Sequence, residues 1–78
     1  MFTVNVNLNH IDKVKNFVNT VVQFDCDVDL GSGRYCIDAK SIMGIFSLDL
    51  SKDIPCTIHT TDENLQALYK ERLADYIV

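Results

Sequence analysis

The spacing of apolar residues changes period several times along this chain, and those changes restrict the fold more than any other feature. Residues 2 to 8, FTVNVNL, alternate strictly: Phe2, Val4, Val6 and Leu8 fall on one face, Thr3, Asn5 and Asn7 on the other. A period of two belongs to a strand with one buried and one wet side. Over residues 11 to 24 the period lengthens. Ile11, Val14, Phe17, Val18, Val21 and Val22 recur at helical spacing opposite Lys13, Lys15, Asn16 and Asn19. The β-branched residues lower helix propensity, so packing has to hold this helix.

CDVDL, residues 26 to 30, alternates again and buries Cys26, Val28 and Leu30. GSG at 31 to 33 is a turn, and RYCIDA returns from it, which reads as a hairpin. A short helix follows, with Ser41 placed as its N-cap. IPCTIHT is a fourth strand with Ile54, Cys56, Ile58 and Thr60 inward, and Pro55 marks a strand end or an edge. Thr60 with Glu63 resembles a capping box ahead of a last helix carrying Leu65, Leu68, Tyr69, Leu73, Tyr76 and Ile77.

The element order is therefore β-α-β-β-α-β-α. Strands with one apolar face and helices with one apolar stripe are satisfied by two layers, an antiparallel sheet with all three helices on one side. The expected class is α+β. At 78 residues the whole chain, 1–78, reads as one domain near the lower size limit for a self-sufficient core.

Composition narrows the function. A hydrophobic share of 47% beside 23% charged residues belongs to a globular chain. The net charge of −4, with no Lys/Arg stripe, argues against nucleic acid as a partner. Cys26, Cys36 and Cys56 form no CxxC pair and leave at least one thiol free, which fits a reducing cytoplasm. MFTVNVNLNH has neither a basic start nor a long apolar run, so neither a signal peptide nor membrane insertion is expected. The scattered histidines and cysteines lack metal-ligand spacing, and nothing asks for a cofactor. Without a Gly-rich phosphate loop or paired catalytic carboxylates, a stand-alone enzyme has little support.

The segment DAKSIMGIFSLDL, residues 38 to 50, is the most unusual. Its helix is apolar on nearly every side. Ile42, Met43, Ile45, Phe46 and Leu48 cannot all face one sheet, so Ile45 and Leu48, with Ile42, are expected inward. Met43 and Phe46 then remain at the surface, where an apolar patch marks a partner site unless another element covers it.

AKSIMGIFSLDL resembles the serine-bearing segment of HPr, the histidine-containing phosphocarrier of the bacterial sugar phosphotransferase system. The element order matches that family along the chain. FDCDVDL and its hairpin fall where the family has its second and third strands. From residue 10 to residue 49 the register needs no insertion or deletion, and one shortening falls near Thr61. The resemblance implies an open-faced β-sandwich with sheet order 1-4-2-3. It also implies that His10 accepts a phosphoryl group from a phosphoenolpyruvate-dependent donor enzyme and passes it to a sugar-specific acceptor. Ser41 corresponds to a second, regulatory phosphorylation site found in many Gram-positive members. The first helix and the Ser41 helix together form the implied partner surface, with Lys13, Ile42, Met43 and Phe46 on it.

The histidine loop departs from the family pattern. The family places a glycine and an apolar residue before the histidine, then alanine, arginine and proline. Here the run is Leu8-Asn9-His10-Ile11-Asp12-Lys13. Free amides at a helix start favour a phosphate by about 0.3–1 kcal/mol, and an arginine adds bidentate contact. Asp12 in the arginine position opposes this. A carboxylate about 6 Å from a doubly charged phosphate costs roughly 1–3 kcal/mol, with Lys13 recovering part as a flexible point charge. Read as residues alone, His10 is an ordinary polar group near a helix start, Ser41 a structural cap and His59 a solvated surface histidine. Two functions remain open: a phosphocarrier working through His10, or a regulatory adaptor docking through the Ser41 helix. The adaptor's partners would include a kinase or a transcription regulator.

Overall fold

The computed structural model describes residues 1–31 and 36–78. The alternating N-terminal run forms strand β1 (Phe2–Val6), followed by helix α1 (Ile11–Val21), β2 (Val28–Leu30), β3 (Ile37–Asp38), α2 (Ile42–Ile45), β4 (Ile54–Ile58) and α3 (Glu63–Arg72). Every pairing is antiparallel and the sheet order is β1-β4-β2-β3. The fold is the expected α+β open-faced sandwich.

Register decides which residues share a face. Val4, Cys56 and Leu30 lie side by side across β1, β4 and β2, and Phe2, Ile58 and Val28 form the next inward row. Val14, Phe17 and Val21 of α1, Ile45 of α2, and Tyr69 with Leu73 at the end of α3 close over these rows in one cluster. On the opposite face Thr3, Thr57, Asp29 and Asp38 line up, and the Thr3 and Thr57 hydroxyls bond at 3.0 Å. Burial keeps the Cys56 thiol protonated, pushing it up to about 12. Burial also raises Cys26, partly opposed by the Lys40 ammonium.

Pro55 stands in a central strand, but at its start. The β2–β4 register ends at Cys56, and beyond it the Pro55 carbonyl accepts from the Gly31 amide at 2.9 Å. Gly31 has φ 109, a conformation in which a side chain would be strained. Ser32 and Gly33 of the expected turn, and Arg34 and Tyr35 beyond them, lie outside the described residues.

Local boundaries differ from the apolar pattern in ways that packing explains. Helix α1 stops at Val21, with Val22 as C-cap, instead of running to residue 24. Phe24 leaves the helical path to stack on Tyr69, ring centroids 3.9 Å apart and 17° from parallel. That contact is unavailable to a ring still on α1's outer turn. Ile11 and Val22, counted in the stripe, are exposed at the helix ends. Cys26 precedes β2 and is only half-buried, as is Thr60 past the end of β4.

The cap of α3 is Asp62, not the expected Thr60–Glu63 box. The Asp62 carboxylate accepts from the amides of Asn64 at 2.9 Å and Leu65 at 3.3 Å, while the Thr60 hydroxyl accepts from the Asp62 amide at 3.2 Å. A carboxylate suits a helix start better than a hydroxyl because the dipole adds to the hydrogen bonds. Leu68 is exposed. Tyr76 and Ile77 lie past the helix, in a tail that borders β1: Ile77 bridges Val6, and the Val78 amide donates to the Asn5 carbonyl at 3.0 Å. The tail thus shields an otherwise open edge.

Candidate functional site

Residues 7–9 connect β1 to α1. Leu8 is sealed in the core, which fixes the middle of this connection and leaves Asn9 and His10 at the surface. His10 is extended (φ −139, ψ 141) and caps α1 with its own ring: Nδ1 accepts from the Asp12 amide at 3.3 Å. An accepting Nδ1 means that the neutral ring carries its proton on Nε2. The lone pair of Nδ1 therefore faces the amide-lined, electropositive start of an eleven-residue helix.

Asp12 adds the opposing charge. Its Oδ2 lies 3.8 Å from His10 Nδ1, with the two side chains 76% and 65% exposed. At that exposure water and salt screen the pair, so the penalty on an anion at Nδ1 falls toward the lower end of the expected range, about 1 kcal/mol. Lys13 turns back instead, its ammonium reaching Asn9 Oδ1 at 3.4 Å.

The second cap belongs to Ser41. Its Oγ accepts from the Gly44 amide at 3.2 Å at the start of α2, a single turn closed by Phe46. Gly44 leaves room for this closure, because a Cβ there would meet Ser41 Oγ at 3.3 Å and Ile37 Cδ1 at 3.5 Å. Lys40 is structural: its ammonium donates to the Phe24 carbonyl at 3.0 Å, joining the end of the first helical segment to the start of the second.

The apolar residues of α2 divide as their number requires. Ile45 is fully buried, and Ile42 and Leu48 pack half-buried against the core. Met43 is 78% exposed and Phe46 42%. Among the described residues, no side chain seals them. Helix α2 also touches α1, so the His10 and Ser41 helices adjoin.

His59 is an exposed surface histidine, as expected, and it also has a partner. Its Nε2 meets Asp29 Oδ2 at 2.5 Å in a shallow cleft on the wet face, beside Asp27 and Asp38. Cross-strand register supplies that partner. Among the described residues no group of three His, Cys, Asp or Glu side chains is placed to hold a metal ion, and no helix is long and apolar enough to cross a membrane. Sequence reasoning placed His10 near a helix start but missed that its ring forms the cap. The signal was present, since His10 immediately precedes the first residue of the helical period.

Comparison with known proteins adds the lineage. The family model described as "PTS HPr component phosphorylation site" matches residues 4–77. Among solved structures, HPr-C-His from Thermoanaerobacter tengcongensis aligns with a TM-score of 0.69 and 24% identity, over 95% of this chain and 89% of that one. A search of curated proteins found no match. At 24% identity the structural likeness speaks for the fold, and the family match supplies the lineage. With that match spanning nearly its whole length, the chain belongs to the HPr family of phosphotransferase-system phosphocarriers.

Proposed function

We propose that this protein is a cytoplasmic phosphocarrier of the phosphoenolpyruvate-dependent sugar phosphotransferase system and that His10 Nδ1 is its phosphoacceptor. The observation that carries the reading is the direction of Nδ1, whose lone pair faces the Asp12 amide at the start of α1. In the transfer, that lone pair attacks the phosphorus of the charged donor enzyme. The bond from phosphorus to the donor breaks, its electron pair returns to the donor, and a P–N bond forms on Nδ1. The proton on Nε2 stays in place. The Asp12 amide then donates to a phosphoryl oxygen instead of to the ring, and the helix dipole favours the new charge. Passing the group to a sugar-specific acceptor reverses these events. The protein is a stoichiometric carrier, regenerated by its partners, and not an enzyme.

Met43 and Phe46 supply the apolar part of the docking surface, with Ile42 beneath them and Lys13 as its cationic rim. A phosphoryl group on Ser41 would bring about two negative charges to the edge of that patch and alter docking without unfolding the helix. The Asp12 carboxylate, 3.8 Å from Nδ1, favours a second reading: an adaptor that keeps the α2 surface for a kinase or transcription regulator and transfers phosphoryl groups poorly.

Incubation with phosphoenolpyruvate and the cognate donor enzyme separates the two. The carrier reading expects an acid-labile phosphoryl adduct that His10→Ala lacks. Absence of an adduct at saturating donor would leave the adaptor.

A further inference from the structure

We infer that Asn7 is a positioning residue for the His10 ring, acting through Asn9. The hydrogen bond from the Asp12 amide to Nδ1 is 3.3 Å long and exposed, too weak to fix a ring by itself. What sets the ring is the backbone that delivers it, and Asn7 holds that backbone at three points. Its amide donates to the Tyr76 carbonyl at 2.8 Å, tying the connection to the C-terminal tail. Its side-chain Oδ1 accepts from the Asn9 amide at 3.3 Å, closing an Asx turn directly before His10. Its Nδ2 donates to Asp53 Oδ1 at 3.2 Å, on the segment leading into β4.

Both ends of the Asn7 amide group are thus engaged, and the partners fix which end is which. The Asn9 N–H can only donate, and the Asp53 carboxylate can only accept when ionised. An aliphatic residue serves neither contact. The anchor beneath is firm: Tyr76 packs edge-on against Phe17 of the core, ring centroids 5.5 Å apart at 89°. The path runs from core to tail, from tail to Asn7, and from Asn7 through Asn9 to His10. Asn7 is half-buried, and the alternation of β1 identifies it only as a wet-face residue.

Two readouts test this, and only the kinetic one rests on the phosphocarrier reading. The first is the pair of His10 ring-nitrogen shifts in the unphosphorylated protein, recorded by long-range proton–nitrogen NMR near pH 8, where an ordinary imidazole is neutral. The wild type should show predominantly the Nε2–H form. Asn7→Ala should move both nitrogens toward the averaged values of free imidazole, and Asp53→Ala, an exposed change, should move them the same way by less. The exchange variant Asn7→Asp with Asp53→Asn keeps both hydrogen bonds with the charge relocated, and should restore the wild-type shifts. The second readout is phosphorylation at saturating donor, which should fall about tenfold in Asn7→Ala with an unchanged KM for the donor. Ring shifts that stay put in Asn7→Ala and Asp53→Ala, or that the exchange variant fails to restore, would overturn the assignment. A wild type that accepts no phosphoryl group would sink the carrier reading, while the ring shifts would still decide the role of Asn7.

Discussion

His10 and Ser41 occupy equivalent N-cap positions in adjoining helices, and the contrast between them lies in what surrounds each cap. Each side chain accepts a hydrogen bond from an amide of the first turn, His10 at 3.3 Å and Ser41 at 3.2 Å. The surroundings differ. Helix α1 has eleven residues, and an acidic residue sits in its first turn; α2 has four and carries no acidic residue there. His10 is bordered by charge, Asp12 on one side and Lys13 beyond it, whereas Ser41 opens onto Met43 and Phe46. The lesson is that a cap's hydrogen bond alone does not define its chemistry. On the reading proposed above, the nitrogen lone pair at the start of a long helix lets His10 hold a transferable group against the opposing charge of Asp12, and the apolar neighbours let a group on Ser41 modulate contact.

The widest test of that contrast is His10→Ala, which should abolish the acid-labile adduct entirely. The fold should survive, because losing the cap costs only about 1 kcal/mol; unchanged far-UV circular dichroism would confirm that the loss is chemical. Met43→Asp should come next, removing capture of the donor enzyme in pull-down with the same circular dichroism spectrum. Retained capture would mean that the exposed side of α2 is not the docking surface.

Asp12→Asn should act in the opposite direction. Removing a mostly exposed carboxylate 3.8 Å from Nδ1 should raise the phosphorylated fraction at limiting donor about five- to tenfold, corresponding to ~1 kcal/mol. The gain should shrink as salt is added, because screening already weakens the repulsion in the parent protein. A gain independent of salt would point to altered loop geometry instead of charge. The smallest effect belongs to Ser41→Ala. Loss of this cap should lower unfolding stability by about 1 kcal/mol, measured by denaturant titration, without changing the amount of adduct on His10.

The sequence made the fold's layers legible and left its fine positioning obscure, for a physical reason. Alternation at residues 2–8 and 54–58 identified the inward faces of β1 and β4, because burial on one side of a strand imposes that period directly. Sheet order came with the resemblance to HPr, since alternation tells which side is wet but not which strand is adjacent. The single turn of α2 was readable in its residues: too many apolar groups for one face forced Met43 and Phe46 outward. Features set by contacts distant in sequence were not readable. Phe24 left α1 for Tyr69, and the tail reached Asn5 and Asn7 across the molecule. Asn7 belongs with these, since two of its partners lie at positions 53 and 76.

The most direct measurement is to identify the phosphorylated atom, by charging nitrogen-labelled protein with donor enzyme and phosphoenolpyruvate and reading phosphorus–nitrogen coupling by NMR. Coupling to His10 Nδ1 is the predicted result, because that lone pair already faces the start of α1. A phosphoryl group on Nε2, on His59, or nowhere at saturating donor would contradict it.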